Sequence, residues 1–586
     1  MKALAFSPRL LLLGLLLLTL SLPLQAREVW IELQGLDDAD ELRENIIATL
    51  SLARYREEGM GEPRLRRLHA RAPNEIRQAL RPFGYYDVRV ESELTYREEE
   101  ENWLATYQVE RGPQIHVVEV NARVEGEGAD DRAFLRTLAE LPIRENQPLD
   151  HRNYEQAKNR LLQLADRRGY LDARWVSRGL FVDPPTQTAR VQLVLDSGPR
   201  YNFGPVTIEQ DIMDDAFVQR YVPFDVGEPF DADKLLQLQY GLSDSEYYNY
   251  VEVRPERDQI EDDRQIPIHV DAHASPKHRY RASLGYGTDT GPRYGVRWEN
   301  RRVNRRGHRG ALGYNISDVR RAVEMRYVVP LSEPVNERLT WDANAIREDR
   351  GDFESRRLEL GVGRSTLQWG WLQTTFLRYE QERSIFGPED QSRSEVVVPG
   401  ITWSRTRAND PTLPRRGLRL SLDVRGAREE LLSDLNFFQT TLRAKRVQPL
   451  GERHRLLARL ELGGTGSERF ENLPLSQRFF TGGDQTVRGF GYEELSPLDE
   501  EGRRIGGRYL AVASLEVDRQ ISGPWYAAAF VDSGNAMMSF SDSLETSAGI
   551  GMRYASPIGM IRVDIARPIS DPDRGYRLHL SVGPDL

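Results

Sequence analysis

The chain has 586 residues, enough for roughly four domains of ordinary size. Its mean hydropathy of −0.58 excludes a polytopic helical membrane protein, whose every span needs about 20 consecutive apolar residues. Acidic residues outnumber basic ones 90 to 80 and cysteine is absent, so nucleic acid is excluded as a partner and thiolate chemistry, Cys-ligated zinc and disulfides are ruled out. At the N-terminus, Lys2 and Arg9 lead into an apolar run over residues 10–22, closed by Pro23-Leu24-Gln25-Ala26. This pattern predicts a secretory signal over residues 1–26 with cleavage after Ala26, an uncleaved anchor being the alternative. The remainder is then expected outside the inner membrane.

The N-terminal half repeats itself. Gly84-Tyr85-Tyr86-Asp87-Val88, Gly169-Tyr170-Leu171-Asp172-Ala173 and Tyr247-Tyr248-Asn249-Tyr250-Val251 open equivalent strands. The first two are followed by Gly112-Pro113 and Gly198-Pro199, the third by Ser275-Pro276. A helical pattern precedes each strand. Leu65, Leu68, Ala72, Ile76, Ala79 and Leu80 form one buried face, and Tyr154, Ala157, Leu161, Leu164 and Ala165 form its counterpart. Asp150 and Asp231 stand where an N-cap is needed. With starting strands at 29–33, 115–120 and 201–208, the order in each unit is β-α-α-β-β. The units span residues 27–113, 114–199 and 200–276. A three-stranded sheet leaves an edge that can accept an added strand through backbone hydrogen bonds. Partner binding and a plain spacer role both remain open from this pattern.

From about residue 277 to 586 the period changes to two. Tyr280, Ala282, Leu284 and Tyr286 alternate with Arg279, Arg281, Ser283 and Gly285, and Leu418, Leu420, Leu422 and Val424 with Arg419, Ser421, Asp423 and Arg425. One face is apolar and the other charged or tiny. That suits a transmembrane barrel with lipid outside and a wet lumen, of about 16 strands for this length. Trp298, Trp341, Trp369, Trp371, Trp403 and Tyr526 are candidates for interfacial girdles. A connection of about 40 residues, well above ordinary loop length, carries Gly482-Gly483-Asp484-Gln485-Thr486-Val487-Arg488-Gly489-Phe490. The next strand but one holds Phe530-Val531-Asp532-Ser533-Gly534. If Phe530, Asp532 and Gly534 face inward, Asp532 can receive Arg488 from a loop tucked into the lumen, either as a simple brace or as a functional lock.

These motifs resemble those of the insertase superfamily that includes BamA, TamA and the two-partner secretion transporters. The loop motif Val487-Arg488-Gly489-Phe490, the strand motif Phe530-x-Asp532-x-Gly534, residues 410–417 and the segment from Ser556 onward occur in that superfamily's order. The resemblance implies three periplasmic POTRA domains followed by a 16-stranded barrel over 277–586 in the bacterial outer membrane. Three repeats and the Gly583-Pro584-Asp585-Leu586 ending are similar to the TamA type. That implies a TamB-like, inner-membrane-anchored periplasmic partner contacted through the first POTRA, outer-membrane protein and autotransporter clients, and contact with outer-membrane lipids. A two-partner-type secretion pore or a lipid-transport subunit is the alternative. Gly285 and Gly287 in the first barrel strand, and Gly583 and Pro584 at the end of the last, suggest a weak lateral gate; an ordinary closed seam with a frayed end is the other reading. No Gly-x-Ser-x-Gly elbow occurs, and His269, His273 and His278 lack the surroundings of a metal site. No enzymatic activity, cofactor or metal is expected.

Overall fold

A computed structural model describes residues 29–54, 61–261, 263–385, 391–410, 412–557 and 559–583. The predicted signal segment with Ala26, and Pro584 at the other end, lie outside the described residues. The first repeat runs β1 (Val29–Gln34), α1 (Asp40–Thr49), α2 (Ser51–Arg54), α3 (Glu62–Leu80), β2 (Arg89–Arg97) and β3 (Asn102–Glu110). The second runs β4 (His116–Glu125), α4 (Arg132–Ala139), α5 (His151–Arg167), β5 (Arg174–Asp183) and β6 (Thr188–Asp196). The third runs β7 (Asn202–Glu209), α6 (Asp215–Val218), α7 (Ala232–Asp244), β8 (Tyr248–Pro255) and β9 (Gln265–Ala274). The predicted order holds, with the one-turn helix α2 added in the first repeat. The backbone divides into two compact units, one reaching residue 205 and including 224–235 and 255–268, the other holding 206–223, 236–254 and everything from 269 onward.

Each repeat makes a three-stranded sheet with its last strand in the centre: β1-β3-β2, β4-β6-β5 and β7-β9-β8. In the first two, that central strand is parallel to the first strand and antiparallel to the second. The edges are therefore the first and second strands of the unit. Helical spacing is what lets the helices cover such a sheet: Leu65, Leu68, Ala72, Ile76, Ala79 and Leu80 of α3 are all buried. In α5, Tyr154, Ala157, Leu161 and Ala165 are buried, with Leu164 packed at the margin.

Caps set the helix starts. The Asp150 carboxylate accepts from the Arg152 amide at 2.8 Å and Asp231 from the Asp233 amide at 3.0 Å. A third cap, absent from the sequence reading, is Asp131, which accepts from the Ala133 amide at 2.9 Å, Arg168 Nε at 2.7 Å and the Tyr170 hydroxyl at 3.1 Å.

The second half is one antiparallel sheet of sixteen strands, from β10 (His278–Gly287) to β25 (Arg577–Gly583). Its outward residues are the apolar half of the period-two pattern: Tyr280 is 76 % exposed and Leu284 83 %, as befits side chains that meet hydrocarbon. Among the described residues no helix is long and apolar enough to cross a membrane. The girdle assignment needs one correction. Tyr526 shares the inward face with Phe530 and Asp532 and lies beneath the Arg455 guanidinium, 5.5 Å from its ring centre. Trp525, one residue earlier, faces out instead.

Burial pushes the Asp131 carboxyl up, but the Ala133 amide and the Arg168 guanidinium outweigh it and hold it below the usual carboxylate range. The stability this provides is present above about pH 4 and is lost as pH falls through the depressed value. Asp131→Ala should therefore cost about 1–2 kcal/mol locally at neutral pH, seen as roughly tenfold faster amide exchange in α4, with the difference from wild type shrinking in acid.

Candidate functional site

The site lies inside the barrel, where a loop that could have stayed in solvent is held in the lumen. Residues 468–508 join β20 (His454–Ser467) to β21 (Tyr509–Ser522). Gly482 and Gly483 adopt φ of +107° and +103°, which reverses the chain sharply enough for the Gly483 amide to donate to the Val487 carbonyl at 3.1 Å. The turn carries its own apolar anchor, since Val487 and Phe490 pack with Phe479, Leu495, Leu510, Val512 and Ala536. Between these two anchors stands Arg488.

Alternation along the strands aims the acceptors at it. β21, β22 (Trp525–Met537) and β24 (Gly559–Pro568) each bring one carboxylate to it, while a second inward carboxylate of β21, Asp518, pairs with Arg455. Arg488 Nε donates to Asp532 Oδ2 at 2.7 Å and Nη2 to Asp532 Oδ1 at 3.0 Å, a bidentate pair. Its Nη1 reaches Glu516 at 2.6 Å and Asp564 at 3.2 Å. The guanidinium carbon lies 3.3 Å from the centre of the Phe530 ring, so the cation is stacked on one side and hydrogen-bonded at its edges. Ser514 donates to Asp532 at 2.6 Å.

Arg553, on β23 (Glu545–Ser556), bridges Glu516 at 2.9 Å and Asp564 at 2.5 Å. Two buried arginines thus share three carboxylates, and Arg459 of β20 lies 3.9 Å from Asp532 as a third cation. Arg459 also binds the carbonyls of Gln485 and Thr486, gripping the loop directly. On the far wall, Gln477 Nε2 donates to Glu380 of β16 (Trp371–Ile385) at 2.7 Å.

The predicted pair Arg488–Asp532 therefore forms, with Phe530 as its platform. Gly489 (φ +97°) turns its amide to His579 Nε2 at 2.8 Å, and Gly534 leaves room for the Ala511 carbonyl, 2.6 Å from where a Cβ would stand. Glu516, Arg553, Asp564 and His579 were not anticipated. Parity alone would have marked Glu516 and Asp564 as inward, because they share a face with Ser514 and Ala566 along their strands.

Gly285 and Gly287 lie in β10 and pair in an unbroken ladder with β11 (Gly291–Asn300). On the other edge of β10, among the described residues, no ladder joins it to β25: the hydrogen-bonded order runs from β10 to β25 and its two ends are not joined. Gly583, at the end of the described part of β25, pairs with Met560 of β24. The predicted histidine group is also dispersed: His269 lies 3.8 Å from Glu209 and His273 3.5 Å from Asp271, separate surface contacts.

A family model of the Omp85 superfamily domain matches residues 280–585, more than half of the chain. The chain belongs to the Omp85 superfamily. A second model, POTRA domain TamA domain 1, matches residues 31–111, the first repeat. The outer membrane protein assembly factor BamA of Nitratidesulfovibrio vulgaris is 23 % identical over 382 residues, 61 % of this chain and 48 % of that protein. The chain thus spans about half the length of that curated relative.

Among solved structures, BamA from Haemophilus ducreyi lacking POTRA domains 1–3 superposes with a TM-score of 0.64 at 16 % identity, over 80 % of this chain and 99 % of that one. CdiB from Acinetobacter baumannii gives 0.46 at 14 % identity, over 81 % and 90 %. As an Omp85 protein the chain is an outer-membrane barrel with periplasmic POTRA repeats. β10 leaves from the repeats, so the turn after it and the loop 468–508 belong to the opposite, outer end.

Removing the Arg488 side chain takes the bidentate partner from buried Asp532 and one of the two cations from Glu516, at a cost of about 3–5 kcal/mol. Arg488→Ala should expose residues 468–508 to added protease, and Arg488→Lys should fail to restore protection because one ammonium cannot make the bidentate pair. Gly551→Ala should act from the wall, since its Cβ would stand 1.9 Å from Asp564 Oδ1 and 2.6 Å from Arg553 Nη1. We expect a loss of about 1–3 kcal/mol, read as a lower temperature for the barrel's heat-induced gel shift.

Proposed function

We infer that this protein assists insertion of outer-membrane proteins, as a TamA-type subunit working with a TamB-like inner-membrane-anchored periplasmic partner. The reading is carried by one observation: among the described residues, every neighbouring pair of barrel strands shares a ladder except β10 and β25, which lie side by side without one. An incoming strand can pair with such an edge and leave sideways into lipid, its backbone groups satisfied throughout. The loop fixed by Arg488 occupies the lumen beside β20 to β24, which favours lateral release over passage through an open pore. No catalytic step is part of this reading.

The POTRA repeats suit capture of extended segments. Their edge strands carry exposed apolar side chains, Trp30 on β1 and Val176 and Phe181 on β5. The match of the first repeat to the TamA-type model supports assigning the periplasmic partner to that repeat. Autotransporters are the clients this assignment implies.

The chain has no native cysteine, which makes a disulfide test clean. The Leu580 amide donates to the Thr288 hydroxyl at 3.4 Å, so these two positions lie opposite each other across the seam and are where the cysteine pair is placed. In proteoliposomes, the oxidised Thr288→Cys/Leu580→Cys protein should insert an autotransporter barrel at least about tenfold more slowly than the same protein reduced. Equal rates in both states would overturn lateral release.

A further inference from the structure

Three separate pieces of the barrel meet at its outer rim beside the seam. Asp289 belongs to the turn between β10 and β11, Asp484 to the luminal loop, and His579 to β25. Their side chains are only 2 %, 7 % and 2 % exposed. Asp484 Oδ1 accepts from His579 Nδ1 at 2.5 Å and from the Thr288 hydroxyl at 3.1 Å. Its backbone amide donates to Asp289 Oδ2 at 3.0 Å, and Asp289 Oδ1 receives Arg577 Nη2 at 2.9 Å. A closed circuit results, from loop to first hairpin, to last strand, and back to the loop.

The histidine tautomer follows from its partners. Nε2 accepts from the Gly489 amide at 2.8 Å, so the ring's single proton sits on Nδ1 and points at Asp484. That nitrogen is occupied, which makes the group a hydrogen-bonded clasp and not an open cage for a cation. The two carboxyls are unlike. Burial and the facing Asp484 carboxylate push Asp289 up, whereas Asp484, despite its burial, is held low by hydrogen bonds from His579 and Asp289.

We propose that Asp484 and His579 are positioning residues for opening the seam, tying withdrawal of the luminal loop to the parting of β10 from β25. The inference rests on the lateral-release reading above and names the contact that regulates it. Where a ladder would join two strands, this seam has side chains, and one of them belongs to neither strand. When the loop moves, the Asp484 carboxylate leaves with it, and Thr288 and His579 lose their common acceptor.

Around His579 stand Asp484 and the Gly489 amide from the loop, Asp289 from the turn, Arg577 on its own strand, and Asp564 opposite it on β24, itself held by Arg488 and Arg553.

Hydrogen exchange of the full chain in lipid nanodiscs, corrected for intrinsic rates, tests this. Asp484→Ala should speed exchange in residues 278–287 and 577–583 by about tenfold while leaving the control strand 371–385 unchanged. His579→Ala, which removes the donor to Asp484, should accelerate the same two strands, whereas His579→Gln, which can still donate and accept, should not. Unchanged seam exchange in Asp484→Ala or His579→Ala, or equal acceleration of the control strand, overturns the proposal. These readouts need no client protein. A disulfide that fails to block insertion would sink lateral release while leaving the clasp standing, and flat exchange with a blocking disulfide would do the reverse.

Discussion

A cation placed inside a barrel must be met there by anions fixed to the wall, because neither it nor they can turn to bulk water. Arg488 is that cation, and Asp532, Glu516 and Asp564 come from three different strands to meet it. The dependence runs both ways. Without the loop, the wall would hold three carboxylates against Arg553 and a more distant Arg459. Without the carboxylates, the loop would carry a guanidinium into a site that does not repay its dehydration. The loop is thus a core element of the barrel, filling the role that packed apolar side chains fill in a soluble domain. Its glycines serve the same end: at Gly489 a Cβ would stand 3.2 Å from Ser547 Cβ and 3.4 Å from Pro568, so a side chain there would crowd the loop against the wall.

The wall itself is uneven. From β10 to β25, each strand is bound to the next by a ladder of backbone bonds, each worth about 0.5–1.5 kcal/mol net and more when water is excluded. The seam substitutes a few side-chain bonds at one end. Opening there breaks the least hydrogen bonding of any place in the sheet, so lateral parting has a defined location without any flexible hinge. The location also adjoins the lock, since β24 supplies Asp564 and β25 supplies His579.

Much of this was legible in the sequence, for reasons that differ by region. Helix faces and caps in the repeats are local, so Leu65 to Leu80 and Asp150 could be read directly. The central position of each repeat's last strand could not, because it depends on a parallel crossover that residue order does not specify. In the barrel, period two assigns faces strand by strand. Which inward charges actually meet depends on the stagger between strands, a property of the closed sheet. Hence Asp532 was found through its motif, while Glu516, Arg553 and Asp564 were overlooked. Tyr526 shows the opposite failure: its parity with Asp532 was visible, but its aromatic character suggested a girdle.

The lock and the seam are then a single thermodynamic object. Loop position is set by Asp532, Glu516 and Asp564 on one side and by His579 and Asp289 on the other, so the loop-in state and the seam-closed state stabilise each other. Coupling of this kind is reciprocal: whatever factor by which loop withdrawal favours an open seam, an open seam favours loop withdrawal by the same factor. A client strand that pairs with β10 or β25 would therefore bias the loop outward without touching Arg488, and a ligand that draws the loop outward would make the strand edges available. Lateral release as proposed above would need both events, because a strand arriving at an edge requires the edge free and a folding barrel requires room beside it. Placing one carboxylate, Asp484, in contact with both ends of the sheet allows the two to occur together.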